Sequence, residues 1–222
     1  MKSIRLFFIV YLLCYSNPFF AQEELSNGYV FPDFENGNVF FRNGRHSSAF
    51  LNYNKLTQEM LFLDESKNIM KIANPTEVLV VVIGERRFLP VSSKGVFYEE
   101  IQVENGSFFV QYIANMISEG KAAAYGGYSQ TSSVTSLGSM QDGFGNTFKL
   151  TPNEKFRMKH QNAYYLLLGK NYKVFNSSKS LAKLFKGQEL KIEEFAKEHS
   201  INFTNIEDIT KIVEYGYSLA KK

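Results

Sequence analysis

Val78-Leu79-Val80-Val81-Val82-Ile83, then Gly84-Glu85, then Arg86-Arg87-Phe88-Leu89-Pro90-Val91 is the stretch that decides the fold class. Six consecutive β-branched or aliphatic residues are too few for an ordinary helix and suit a strand buried on both faces of a sheet. A glycine in the first of two linking positions suits a type II′ turn, whose backbone twist matches that of the strands it joins. The segment therefore reads as a hairpin, and the hairpin implies an antiparallel sheet.

The same grammar extends in both directions. Upstream, Val39-Phe40-Phe41-Arg42 and Arg45–Tyr53 flank Asn43-Gly44, a pair suited to a type I′ turn. Glu59-Met60-Leu61-Phe62-Leu63 and Ile69-Met70-Lys71-Ile72 flank the polar turn Asp64–Asn68, and Asn74-Pro75 breaks the chain before Val78. Downstream, Asn105-Gly106 separates Ile101-Gln102-Val103 from Phe108-Phe109-Val110. About eight short strands in residues 38–114, spaced about ten residues apart, predict an all-β meander, sandwich or barrel.

Residues 115–148 are rich in small and polar side chains, and the Gly126–Gly138 stretch reads as a flexible segment open to proteolysis. Strand patterning returns at Lys155–Gln161, and Tyr164–Leu168 and Tyr172–Phe175 flank a longer hairpin loop at Gly169-Lys170-Asn171. After Phe175 the apolar spacing becomes helical. Ser177 or Ser178 can cap a first helix that Gly187 ends, a second begins near Gln188, and Thr204 or Asn205 caps a third. The expected fold is α+β: an antiparallel β-meander body over residues 22–176, sandwich- or barrel-like, followed by a small helical element over 177–222.

Lys2 and Arg5 precede an apolar run, Leu6–Cys14, that is too short to span a bilayer, and Ala21 is a small residue suited to the −1 position. Residues 1–21 therefore read as a signal peptide, and the mature chain is expected to start at Gln22 with no transmembrane segment. No small residue precedes Cys14, so soluble export is favoured over a lipid anchor. The mature chain would hold no cysteine, because the 222 residues contain only Cys14. Disulfide stabilisation and thiolate metal clusters are excluded with it.

Chemistry-bearing patterns are sparse. His46, His160 and His199 stand apart, with no HExxH pair. There is no Gly-x-Ser-x-Gly elbow. Gly143-Phe144-Gly145 lacks the third glycine and the Lys-Ser/Thr of a phosphate loop, and no cofactor is expected. Asp64-Glu65 and Glu99-Glu100 read as solvated turn and strand faces. Adjacent strand residues point to opposite faces, so neither pair is itself a catalytic dyad.

The most suggestive surface is basic. Residues 22–114 carry a net charge of −4 and residues 115–176 one of +4. Lys155, Arg157 and Lys159 alternate along one strand face, with Phe156 and Met158 facing inward, and Tyr164, Tyr165 and Tyr172 lie close in sequence. Lys155, Arg157, Lys159, Tyr164 and Tyr172 are the candidate binding residues. In an exported protein they fit an envelope protein, an anionic glycan or a lipid headgroup better than nucleic acid. A non-enzymatic binding or scaffold protein is the leading expectation. The alternative is a periplasmic or secreted hydrolase of unfamiliar type, built on His46, Asp142 and a serine.

Three segments carry a resemblance: Asn43-Gly44 with Ala49–Met60, Ile83-Gly84-Glu85-Arg86-Arg87-Phe88, and the tail from Leu181-Ala182-Lys183-Leu184-Phe185 through Val213-Glu214-Tyr215. Together they resemble secreted proteins of Bacteroidota with no assigned function. The resemblance implies export from a Gram-negative cell and carries over no catalytic residue.

Overall fold

A computed structural model describes residues 28–91, 95–122, 128–129, 138–141, 147–150 and 154–220, with side chains omitted between 118 and 156. The leader expected over 1–21, Asp142, most of Gly126–Gly138 and the side chain of Lys155 lie outside the described residues.

Among the described residues the main sheet has ten strands, all antiparallel to their neighbours. They are β1 (Glu35–Phe41), β2 (His46–Asn54), β3 (Glu59–Leu63), β4 (Ile69–Lys71), β5 (Val78–Ile83), β6 (Arg86–Pro90), β7 (Phe97–Val103), β8 (Gly106–Gln111), β14 (Ala163–Leu168) and β15 (Asn171–Phe175). The spatial order is β15-β14-β8-β7-β6-β5-β1-β2-β3-β4, so β1 is inserted between β2 and β5. The intervening numbers belong to two smaller sheets. β9 (Ala114–Ala122) lies between β10 (Tyr128–Ser129) and β13 (Glu154–His160), and β11 (Gly138–Gln141) pairs with β12 (Thr147–Leu150). The described parts of 115–148 are thus strands rather than structureless loop.

The expected hairpins form, with corrected turns. Gly84-Glu85 is a two-residue loop in which Gly84 alone has positive φ, +58°, as type II′ requires. At Asn43-Gly44 only Gly44 is left-handed, and Gly44 N donates to Phe41 O at 3.1 Å. That is a turn over Phe41–Gly44 with a glycine bulge, in place of type I′. The loop expected at Asn105-Gly106 is Glu104-Asn105, because Gly106 pairs with Val103 as the first residue of β8. Glycine is needed there for closeness: a Cβ on Gly106 would stand 2.5 Å from Cζ of Tyr217. Gly106→Ala should therefore displace Tyr217 and its hydroxyl bond to Ser107 O, now 2.9 Å, and cost about 1–3 kcal/mol in urea unfolding. The hairpin at Gly169-Lys170 is also tighter than expected, since Leu168 pairs directly with Asn171.

Alternation along the strands gives the sheet one packed face, which carries two cores. Phe31, Val39, Leu51, Tyr53, Met60, Val81, Ile83, Phe88 and Phe97 form the first, where the sheet curls on itself. The curl brings the β2–β3 turn onto the β8–β9 junction: Ala114 N donates to Lys55 O at 2.9 Å, although four strands lie between β2 and β8. Phe108, Val110, Tyr164, Leu166 and Phe175 form the floor of the second core. Three helices roof it: α1 (Ser178–Ala182), α2 (Glu189–Glu198) and α3 (Ile206–Ala220), through Leu181, Ile192, Ile209, Ile212 and Val213. Ser177 caps α1 in a reciprocal box with Ser180, and Asn205 Oδ1 accepts from Glu207 N at 2.7 Å at the start of α3. The β-rich body with its small C-terminal helical element is the fold the sequence predicts.

β5 is central, between β1 and β6, but it is covered on one side only. Val78, Val81 and Ile83 are buried, whereas Leu79 is 50% exposed. The β1–β5 register shifts between Phe40 and Phe41, leaving Leu79 without a partner residue on β1, and the outer face of the sheet has no covering layer among the described residues.

The pairs β8–β14 and β9–β13 form one ladder. Phe109 pairs with Tyr165, Val110 with Tyr164 and Gln111 with Ala163; Gln161 N donates to Ile113 O at 2.8 Å; then Ala114 pairs with His160, Asn115 with Lys159, Met116 with Met158 and Ile117 with Arg157. No residue is gained or lost on either strand from Phe109 to Ser118, a run of about 30 Å at 3.4 Å per residue. Beyond it the register shifts between Glu154 and Phe156. A two-stranded ribbon thus grows directly out of the main sheet.

Candidate binding face

The outer face of β7, β8, β14 and β15 carries a cluster of aromatic rings. Tyr98 of β7 stacks on Tyr165 of β14 with centroids 4.6 Å apart, and Tyr172 of β15 meets Tyr98 edge-on at 5.3 Å. Phe109 of β8 lies beneath, 2% exposed, with its ring 5.0 Å from that of Tyr172. The three tyrosines are half-buried, and Leu167 and Val174 beside them are exposed. Polar ends are linked along one edge: Tyr165 Oη donates to Gln111 Oε1 at 2.7 Å, and Gln111 Nε2 donates to Gln58 Oε1 at 2.5 Å. Burial, then the hydroxyl of Tyr165, pushes the Tyr98 hydroxyl well above its ordinary range, and burial followed by the charge of Glu100 raises that of Tyr172. Each stays a neutral hydroxyl, able to donate and accept.

The unbroken ladder fixes what else shares this face. Counting by twos from Tyr165 along β14 and β13 passes Ala163, Gln161, Lys159 and Arg157. Asn115 Nδ2 donates to Gln161 Oε1 at 3.4 Å, as expected of near neighbours on one face. Arg157 and Lys159 are exposed, and Lys159 stands about 20 Å along the strand from Tyr165. Of the five candidate residues, Arg157, Lys159 and Tyr172 therefore lie on one surface. Tyr164 does not. It points to the opposite side, 1% exposed in the helix-covered core with its ring 6.0 Å from Phe175. Met158 faces Met116 across the ribbon on that same opposite side; it is half-buried, and Met116 is exposed, so the ribbon there is not core.

Behind the face, between the two cores, lies an ion pair. Arg86 Nε and Nη2 donate to Glu99 Oε1 and Oε2 at 2.6 and 2.8 Å, and Tyr112 Oη donates to Glu99 Oε2 at 2.5 Å. The Glu99 side chain is 3% exposed. The Arg86 guanidinium also lies 4.6 Å over the ring of Phe31. Burial opposes the Arg86 charge, but the bonds and charge of Glu99 outweigh it and the guanidinium is held more firmly protonated. Burial, then Glu99, raises the Tyr112 hydroxyl. The expectation of a solvated Glu99-Glu100 is corrected for Glu99. Glu100, one residue on, sits on the outer face 3.4 Å from Arg87.

The histidines do not converge. His46 begins β2, exposed, 6.1 Å from the Phe40 ring; His199 follows α2 and stacks on Phe195 at 4.0 Å; His160 ends β13 at the ribbon base. Among the described residues no group of three His, Cys, Asp or Glu is placed to hold a metal ion, and no helix is long and apolar enough to cross a membrane. No protein-family profile, curated protein or solved structure matches the chain.

Tyr98 escapes a reading of the sequence that starts the strand at Ile101, and Glu99 is read there only as a solvated face. The signal was present in Phe97-Tyr98-Glu99-Glu100-Ile101: an aromatic residue on each parity marks a strand with two occupied faces.

Proposed function

We propose that the chain is an exported, non-enzymatic envelope protein that binds an anionic glycan along the outer face and the ribbon. The observation that carries this reading is the shared surface of Tyr98, Tyr165 and Tyr172 with Lys159 and Arg157. Sugar rings present apolar C–H faces with partial positive charge, which suit the negative faces and edges of aromatic rings. Their hydroxyls suit a tyrosine–glutamine chain that both donates and accepts. Acid groups on the same polymer suit exposed cations in line with the rings, at a spacing that an extended chain can span. The long, open surface favours a polymer over a small enclosed substrate.

The test is affinity electrophoresis of the protein in gels containing neutral or acidic polysaccharides. The acidic gels should retard it and the neutral ones should not. Tyr98→Leu and Tyr172→Leu keep an apolar cover over Phe109 and should weaken retardation about tenfold, equivalent to 1.4 kcal/mol. Arg157→Gln with Lys159→Gln should weaken it and flatten its salt dependence, since exposed charges are screened beyond about 10 Å at 0.1 M salt. Equal migration in acidic and neutral gels, or leucine variants that bind like the wild type, would refute the proposal. Export is checked by fractionation and N-terminal sequencing, with Gln22 as the expected first residue.

A further inference from the structure

We propose that the open end of the first core binds an aliphatic carboxylate: the chain lies in an apolar hollow beneath the β4–β5 crossing, and the carboxylate pairs with the Arg45 guanidinium. The site does not rest on the glycan reading. It lies on the packed side of the sheet, opposite to the tyrosine cluster and toward the other end of the strand order.

β4 is an edge strand and β5 lies beyond β1, so the chain that joins them passes over β3, β2 and β1. Arg42 ties down its far end, its N and Nε donating to Glu77 O and Thr76 O at 2.8 and 3.0 Å. Beneath the crossing a hollow of about 280 Å³ is left open to solvent. Val39 and Phe41 of β1, Ala49 and Leu51 of β2, Phe62 of β3 and Ile72 line it. Its floor is core, with Leu51 fully buried and Val39 nearly so, and the short side chain of Ala49 leaves the room above it. Protein interiors seldom leave a void larger than a water molecule, and this volume is close to the lower end of small-molecule pockets, about 300 Å³. A dry apolar cavity of about 150 Å³ holds a benzene ring, so the hollow has room for roughly ten carbons.

The mouth of the hollow is polar. Ser47, Asn74 and Glu77 stand on its rim, all exposed. Arg45 is directly across from Phe41, whose N donates to Arg45 O at 2.9 Å, and its guanidinium lies 5.8 Å from the centre of the Phe41 ring. Alternation puts Arg45 in one row with Ser47, Ala49 and Leu51, so it continues the wall of the hollow outward past the rim. Among the described residues its guanidinium meets no acid and donates no hydrogen bond; the ring is its one contact. The other charged groups here are engaged: Glu77 Oε1 accepts from Asn74 Nδ2 at 3.3 Å, and Arg42 Nε is held by Thr76. A planar fork of unused donors beside an apolar hollow matches a carboxylate on an aliphatic chain. Glu77 on the same rim opposes a doubly charged head such as a phosphate more than a singly charged one.

The experiment is calorimetric titration of the protein with sodium butyrate, hexanoate, octanoate, decanoate and dodecanoate at constant ionic strength, and with decylammonium chloride. One carboxylate should bind per chain. Its Kd should tighten about threefold to fourfold per methylene until the chain reaches the length the hollow holds, and then level off. Decylammonium should bind about tenfold more weakly than decanoate. Arg45→Gln should weaken decanoate by a similar factor with little change in Tm, because Arg45 is exposed. Ala49→Leu should fill the hollow and abolish binding while the protein still melts cooperatively. Ala49→Val, a smaller intrusion, should bind and should level off at a shorter chain, so the volume argument is tested even if Ala49→Leu does not fold. Decanoate bound no better than butyrate, decylammonium bound as well as decanoate, uptake of several decanoates per chain, wild-type affinity in Arg45→Gln, or an unshifted chain-length limit in Ala49→Val would each overturn the site.

Discussion

Val81→Asp is expected to leave no cooperative unfolding transition. Val81 is fully buried in β5, between Val39 of β1 and Phe88 of β6, both themselves in the first core. An aspartate there would bury a charge with no partner, a change in the class that exceeds 4–5 kcal/mol, against a total stability of about 5–15 kcal/mol for a domain. Circular dichroism should show loss of the sheet signal at 25 °C. Leu79→Asp is the matched control: same strand, same substitution, but 50% exposed, so its cost should stay near 0.5 kcal/mol. Equal melting of the two variants would mean that the faces of β5 are assigned the wrong way round.

Breaking the internal ion pair from one side should cost nearly as much. Arg86→Met strands the Glu99 carboxylate, which keeps only the Tyr112 hydroxyl, and removal of one partner from a buried pair typically costs 3–5 kcal/mol. The double variant Arg86→Met/Glu99→Leu should recover most of that loss, because apolar replacement of a whole buried pair is often neutral. Urea titration of both variants separates the terms. A double variant no more stable than Arg86→Met alone would show that Arg86 acts through its contact with Phe31, at 4.6 Å, and not through its charge partner.

Local signals carried the elements well. Glu59–Leu63 and Val78–Ile83 have the bounds that their apolar runs suggest, and Gly84, Ser177 and Asn205 act as the turn and cap residues their chemistry favours. What depends on distant partners was not legible. Nothing near Val39 announces that it pairs with Val81, about forty residues on, and so the insertion of β1 between β2 and β5 has no sequence signature. Burial parity was likewise open. Tyr164 and Tyr165 must face opposite ways, but only the helices, which settle over Tyr164, decide which ring is left for binding. Glu99 shows the same limit, since a carboxylate looks solvated until a guanidinium from the neighbouring strand is seen beside it.

The uninterrupted register of the ribbon bears on how the chain reaches its native state. Val110 must find Tyr164 across more than fifty intervening residues, and closing so large a loop directly is slow, because its entropy is lost before any contact compensates. The ribbon offers a stepwise route, which opens with the somewhat shorter loop between Ile117 and Arg157. Once Ile117 has met Arg157, each further pair down to Phe109 and Tyr165 follows as the next rung, with no new search and no shift to correct. Zipped in that direction, the projecting arm guides β14 into its place beside β8, and the floor on which the three helices condense is then complete. Deletion of a single residue between Ala114 and Ile117 would turn every later rung to the wrong face. It would deliver Tyr164 to solvent and Tyr165 to the core, and the helical roof would have no surface to settle on.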